Sequence, residues 1–240
     1  MNSQITSIVL PDTIREIPAR AFYGCEKLVS VKMPANLVKI GDQAFYGCTS
    51  LKEITIPKTV HSVYGKVYEP NPQDPNMPGF YVSEAYDGIG HAAFMDCTSL
   101  ENVIFEEGGV QRLSFGDYAF YGCQSLLQVR LGKDVAVIGK YAFSGTNVMR
   151  FEVDKVNTTF NVQENGELLF EGTELIIASP KFDGNKGAVN LPTATVIGTG
   201  AFASNSYITS VTAPLVTKVG DYAFAECSAL ISAKMDKVEE

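Results

Sequence analysis

Apolar residues recur at the first, fourth and sixth positions of short segments, as in Leu28-Val29-Ser30-Val31-Lys32-Met33, Leu51-Lys52-Glu53-Ile54-Thr55-Ile56 and Leu126-Leu127-Gln128-Val129-Arg130-Leu131. The fourth and sixth residues are two apart, so they share one face of a strand and point inward, while the third and fifth face solvent. Counting by this register predicts strands near residues 5–10, 28–33, 51–56, 100–105, 126–131, 148–153, 186–191, 208–213 and 230–235. Pro11, Pro34, Pro57, Pro192 and Pro214 close several of them, because proline has no N–H to offer a ladder. An Ile-Gly pair follows (Ile40-Gly41, Ile138-Gly139, Ile197-Gly198) and predicts a bend whose glycine takes an unusual backbone conformation. Asp42, Asp117 and Asp221 at or near that bend are placed to cap a helical turn.

That turn carries the second repeating feature, an Ala-Phe pair. Its phenylalanines are Phe22, Phe45, Phe94, Phe120, Phe143, Phe202 and Phe224, and the step from Phe22 to Phe45 and from Phe120 to Phe143 is 23 residues. A fixed period of this size marks a solenoid, in which each unit buries its apolar face only against its neighbours. The phenylalanines are expected to fill the interior. Cys25, Cys48, Cys97, Cys123 and Cys227 each stand three residues after a repeat Phe, and Thr146 or Asn205 takes the slot elsewhere. A disulfide framework would not place every cysteine at one repeat position, and a metal site wants ligands at short spacing with histidine nearby. The five are therefore read as a structural ladder of buried thiols, small hydrophobes stacked rung on rung.

The pattern Leu-x-x-Ile-x-Ile-Pro, then Val-x-x-Ile-Gly-x-x-Ala-Phe-x-Gly-Cys-x-Ser-Leu, resembles the BspA-type leucine-rich repeat family over nearly the whole chain. The resemblance implies a leucine-rich-repeat solenoid: a curved parallel β-sheet on the concave face, short helical turns or irregular segments on the convex side, and one unit spanning 1–240. It also implies a bacterial cell-surface or secreted protein whose relatives include adhesins for host matrix proteins or other cells. It brings no catalytic motif, no cofactor and no metal.

Three interruptions of the period are where function is expected. Phe45 to Phe94 is 49 residues, and the excess near 64–88 carries four prolines with Tyr64, Tyr68, Phe80, Tyr81 and Tyr86. Long loops in compact folds are commonly functional, and tyrosine supplies contact area at low entropic cost, so these five are candidate ligand-binding residues. Phe94 to Phe120 is 26 residues, and Glu106-Glu107-Gly108-Gly109 is expected to absorb the extra length as a solvated turn. Phe143 to Phe202 is 59 residues, and an insertion near 154–185 holds Asn165-Gly166 between alternating apolar runs, which predicts an inserted β-hairpin, projecting from or extending the solenoid.

The outward strand positions form two rows. One is Ser7, Ser30, Glu53, Asn102, Gln128, Arg150, Ser210 and Ser232; the other is Val9, Lys32, Thr55, Ile104, Arg130, Glu152, Thr212 and Lys234. Arg130 and Arg150, with Glu152, make the one local charge cluster and complete the candidate binding residues. A net charge of −8 without a basic patch argues against nucleic acid. No apolar run approaches the roughly 20 residues of a membrane helix. Met1-Asn2-Ser3-Gln4 does not read as a signal peptide, and because the first and last repeats are incomplete the chain is expected to be part of something longer. His61, His91 and Asp87 flank the first insertion and make the one arrangement resembling a catalytic or metal site; His91 stands at a variable position before Ala-Phe, which favours a surface residue without a role. Asn157-Thr158-Thr159 matches a glycosylation acceptor only as a short pattern. The expected function is thus a non-catalytic module that binds a protein ligand, host matrix or cell-surface, the alternative being a structural spacer that displays another domain.

Overall fold

A strand of three or four residues cannot persist alone, and the repeat solves this by stacking each strand on its counterpart one coil away. The computed structural model describes residues 4–63, 87–109 and 112–238, and the backbone of 66–69 and 80–83. It is a parallel β-solenoid. Among the described residues the first row of strands is Ser7–Val9, Ser30–Lys32, Glu53–Ile56, Asn102–Phe105, Gln128–Leu131, Arg150–Val153, Ala188–Asn190, Ser210–Thr212 and Ser232–Lys234, each inside the range its register predicts. Parallel partners are level with one another, for example Ile54 with Val103 and Val129 with Phe151. The inward residues Ile54, Ile56, Val129 and Leu131 are buried, while Ile104 and Val9 of the outward row are exposed.

A second row of strands runs along another face. It comprises Glu16–Ile17, Lys39–Ile40, Leu113–Phe115, Val135–Ile138, Glu174–Ala178, Val196–Ile197 and Lys218–Val219, with Ile89 bridging Ile40 and Phe115. Apart from Glu174–Ala178, whose Leu175-Ile176-Ile177 reads as a candidate third strand of the inserted hairpin, these segments lie before the Ile-Gly bends or the Ile17-Pro18, Phe115-Gly116 and Val219-Gly220 pairs that replace them, and show too little alternation to be read as strands from sequence. The Ile-Gly glycines also differ from expectation. Gly41, and Gly116 of the equivalent Phe115-Gly116 pair, have no left-handed φ; a Cβ on Gly41 would sit 2.6 Å from the Ala19 nitrogen, and one on Gly116 would sit 2.6 Å from the His91 nitrogen. Close approach of successive coils, rather than backbone freedom, requires glycine there.

The Ala-Phe turn is not helical. Local i to i+3 bonds (Tyr46 N–H to Gln43 O, Cys48 N–H to Phe45 O) alternate with bonds to the next coil (Phe45 N–H to Ala93 O, Gly47 N–H to Met95 O). The residue before Ala is left-handed, at φ 55° for Gln43 and 61° for Tyr118, which stops any helix from propagating. The predicted caps are corrected accordingly. Asp42 Oδ1 accepts from the His91 N–H at 2.9 Å and Asp117 Oδ1 from the Lys140 N–H at 2.7 Å, so both carboxylates tie one coil to the next. Among the described residues the single helical segment is a 3-10 turn at Glu164–Gly166.

Inside the turns the phenylalanines stack. Ring centroids are 5.1 Å apart for Phe22–Phe45, 5.2 Å for Phe45–Phe94, 5.3 Å for Phe94–Phe120 and 5.4 Å for Phe120–Phe143, all nearly parallel. The thiol ladder runs beside them. Cys48, Cys97 and Cys123 each donate at 3.2 Å to the carbonyl of the previous coil's phenylalanine (Phe22, Phe45 and Phe94), and Cys227 donates to Phe202 at 3.0 Å. Where the slot is Asn205, its Nδ2 donates to the Ser179 and Phe182 carbonyls and its Oδ1 accepts from the N–H groups of Tyr207 and Ile208. Asn157 repeats that arrangement against Gly132, Val135, Thr159 and Phe160. Its amide is thus fully engaged in holding the coil.

Both large insertions contain antiparallel strands. Lys66–Glu69 pairs with Phe80–Ser83 within the segment expected as a loop. Phe160–Gln163, Leu168–Glu171 and Glu174–Ala178 form a meander around Asn165 and Gly166, and its last strand enters the second row beside Val196–Ile197. The meander extends the solenoid instead of projecting from it. It also interrupts the phenylalanine stack between Phe143 and Phe202, and the core divides there: Leu169 and Ile177 pack with the preceding coils, Leu168, Phe170 and Leu175 with the following ones.

Candidate functional site

On the outward face of the first row, alternation brings every second side chain of neighbouring strands together. Arg130 Nε lies 2.8 Å from Glu152 Oε2, and an Arg150 guanidinium nitrogen lies 3.7 Å from Glu152 Oε1. The structure therefore joins the three charges that the register grouped. Arg150 is partly committed elsewhere, since its stem lies over Gly166, where a Cβ would strike Cγ.

Next to this cluster the strand face opens. Asn102–Phe105 and Gln128–Leu131 lie side by side, yet each is hydrogen-bonded only to its other neighbour, Glu53–Ile56 and Arg150–Val153 respectively. A groove of about 580 Å³ crosses these strands, with Asn102, Ile104, Gln128 and Arg130 along it and Glu107 and Asp154 at its end. Ile104 is 44% exposed there. Gln128 Nε2 is buried without a hydrogen-bond partner, the one such side-chain nitrogen or oxygen among the described residues. A buried unpaired amide donor costs on the order of 1–3 kcal/mol, so it marks a place where an acceptor belongs. Sequence reasoning placed Gln128 and Ile104 on the outward rows but missed the groove. No spacing in the sequence marks it: the 26-residue step between Phe94 and Phe120 falls on this coil, but Ser30–Lys32 and Glu53–Ile56 lack a ladder too, across a regular 23-residue step.

Other candidates divide. Tyr64 and Tyr86 lie outside the described residues. Tyr68 is level with Tyr81, and Glu69 with Phe80, in the backbone of the antiparallel pair. His61 Nδ1 is 2.8 Å from the Thr59 carbonyl, whereas the His91 ring sits edge-on to Tyr118 at 5.6 Å; among the described residues no three His, Cys, Asp or Glu side chains converge on a metal position. The hydrogen bonds put His91 level with Asp42 and Asp117, a turn position. Glu106 accepts from the Lys58 N–H, in keeping with a turn role. The thiols are chemically quiet: burial raises Cys25 and Cys227, pushes Cys48 up to about 12, and raises Cys97 and Cys123 as well.

Residues 1–108, 72–185 and 177–239 match the BspA-type leucine-rich repeat region, in 6 copies. The chain belongs to this family. No curated protein matches it. Among solved structures, this BspA-type chain is similar to the pneumococcal vaccine antigen PcpA (TM-score 0.76, 23% identity, 98% of this chain and 52% of that one). It is also similar to a leucine-rich cell surface protein of Faecalibacterium prausnitzii (TM-score 0.65, 26% identity, 96% and 60%). A third likeness is to the Treponema pallidum leucine-rich repeat protein (TM-score 0.52, 22% identity, 94% and 78%). The chain thus spans about half the length of PcpA, and the likeness at this identity is one of fold. The repeat residues that define the BspA-type family, its phenylalanines, cysteines and Ile-Gly glycines, are used here for packing one coil against the next.

Proposed function

We propose that the chain is a non-catalytic protein-interaction module of a bacterial cell-surface or secreted protein and binds a protein or matrix ligand. The observation that carries this reading is the opened strand face, where an unpaired buried donor, an exposed isoleucine and a charge cluster lie together in one groove. Family membership and the likeness to a cell surface protein support the setting. The aromatic insertion supplies a second candidate contact region, through Tyr64, Tyr68, Phe80, Tyr81 and Tyr86, in addition to Arg130 and Arg150 on the strand face.

The reading is tested by biolayer interferometry of the intact chain against immobilised fibronectin, fibrinogen, laminin and collagen. Saturable binding to at least one of them, reduced at least ten-fold by Arg130→Ala or by replacing 66–83 with a short Gly-Ser linker, is the expected result. Absence of binding to the panel favours the spacer instead, and binding unchanged by both variants removes these residues from the site.

A further inference from the structure

We infer that the groove between Asn102–Phe105 and Arg150–Val153 takes an extended peptide segment bearing lysine or arginine, an assignment that rests on the protein-interaction reading above. Three features of the groove choose this ligand class. Gln128 lines the groove and its Nε2 is a buried donor without an acceptor, which a peptide carbonyl supplies once the side chain turns toward the ligand. Ile104 offers an exposed apolar surface for the stem of a side chain. The charges along the groove are Glu107, Glu152 and Asp154 against Arg130, and Glu152 already holds Arg130 at 2.8 Å.

Glu107 and Asp154 are therefore the charges left to meet a ligand, and they lie together at one end. Asp154 spends one oxygen on the Val156 N–H at 2.9 Å, which fixes its carboxylate in place. A cavity of about 230 Å³ continues beyond them, sharing Phe105, Glu107 and Asp154, and with Glu106 and Asp134 its lining holds four acidic residues against two basic ones, Lys58 and Lys133. The acidic end thus sets where a cationic side chain binds, and the whole chain, at −8, reinforces the preference. A sugar fits less well, because Phe105 is the one aromatic residue along the groove, and it is half-buried and stacked on Phe115 at 5.5 Å.

The probe is a fluorescein-labelled octapeptide of alternating lysine and valine, followed by fluorescence anisotropy, with the peptide carrying glutamate in place of lysine as control. One-to-one saturable binding is expected for the first and at least ten-fold weaker binding for the second. Glu107→Gln combined with Asp154→Asn is expected to weaken the lysine peptide at least ten-fold. Gln128→Glu discriminates further: it replaces the donor with an acceptor while adding negative charge. A site built on that donor loses at least ten-fold in affinity, whereas a general attraction to an acidic protein tightens. Circular dichroism of each variant checks that the fold is kept. The inference is overturned by a lysine peptide that does not saturate, or by one that the glutamate variant binds as well or better. Binding to the matrix panel without binding to the peptide removes this inference and leaves the functional reading standing; binding to the peptide without binding to the panel supports this inference and rules out only those four matrix proteins as the source of the segment.

Discussion

The thiol row has no chemistry to perform, and its energetics follow from burial alone. A thiol whose pKa is raised in the folded chain is held neutral there, so folding is not penalised while both states are protonated. As pH rises above the ordinary value of 9.0, the unfolded chain ionises at Cys48 and the folded chain does not until about 12. The thiol's stabilising contribution is therefore complete below pH 9 and is lost between 9 and about 12, with Cys97 and Cys123 adding in the same direction. Urea midpoints measured at pH 7.5, 9 and 10.5 should show this decline. Tyrosines and lysines also titrate there, so the informative quantity is the difference between the wild type and Cys48→Ala. A variant with the same alkaline slope as the wild type would show that Cys48 contributes none of it. Labelling with a thiol reagent at pH 8 should mark Cys227, the one half-buried cysteine, before the four that are buried.

At the scale of the element, glycine and non-glycine positions of the repeat should respond in opposite directions. Gly116→Ala forces a methyl to within 2.6 Å of the His91 nitrogen, and only a shift of one coil against the other relieves it. Overpacking of this kind costs about 1–3 kcal/mol or more where backbone must move. Arg20 is the reverse case, since it is exposed and holds a left-handed φ of 60° in the slot before Ala-Phe. Arg20→Gly removes a strain of roughly 1–2 kcal/mol and gives back part of it as chain entropy, for a net gain of up to ~1 kcal/mol. Thermal melts of the two variants check both signs, and a stabilised Gly116→Ala would contradict the stacking geometry. The same contrast explains what the sequence revealed. The first-row strands were legible because Leu-x-x-Leu-x-Leu imposes alternation over a full strand, and Phe45 is buried as its repeat position requires. The second row was not, because segments such as Lys39–Ile40 are two residues long and their partners lie one coil away. The turn was read as helical because Asp before Ala-Phe is also a cap pattern, and only the inter-coil bond from the His91 N–H to Asp42 reveals its use. The groove was not legible, since an opened ladder depends on how neighbouring strands fail to pair, and Ser30–Lys32 and Glu53–Ile56 fail to pair across a regular 23-residue step as well.

For the whole molecule the question is whether coils on either side of the meander unfold together. Repeat stacks couple only through nearest-neighbour interfaces, so a weak interface anywhere divides the array into separately melting parts. The phenylalanine stack does break between Phe143 and Phe202, and two apolar clusters result. The meander nevertheless belongs to both. Leu168 and Leu169 are consecutive on one strand, so they point to opposite faces, and each is buried in a different cluster. Ser179 adds a polar tie, donating from Oγ to the Val148 carbonyl at 2.8 Å while its own carbonyl accepts from Asn205. Taking residues 1–240 as one cooperative unit, Leu168→Ala and Leu169→Ala should each cost about 2–5 kcal/mol and lower the midpoint of the same single transition. Differential scanning calorimetry and circular dichroism of both variants would measure this. If Leu168→Ala instead detaches a separate, earlier transition from the coils after 180 while those before it melt unchanged, the single-unit assignment fails, and the meander is then a wall between two independently stable stacks.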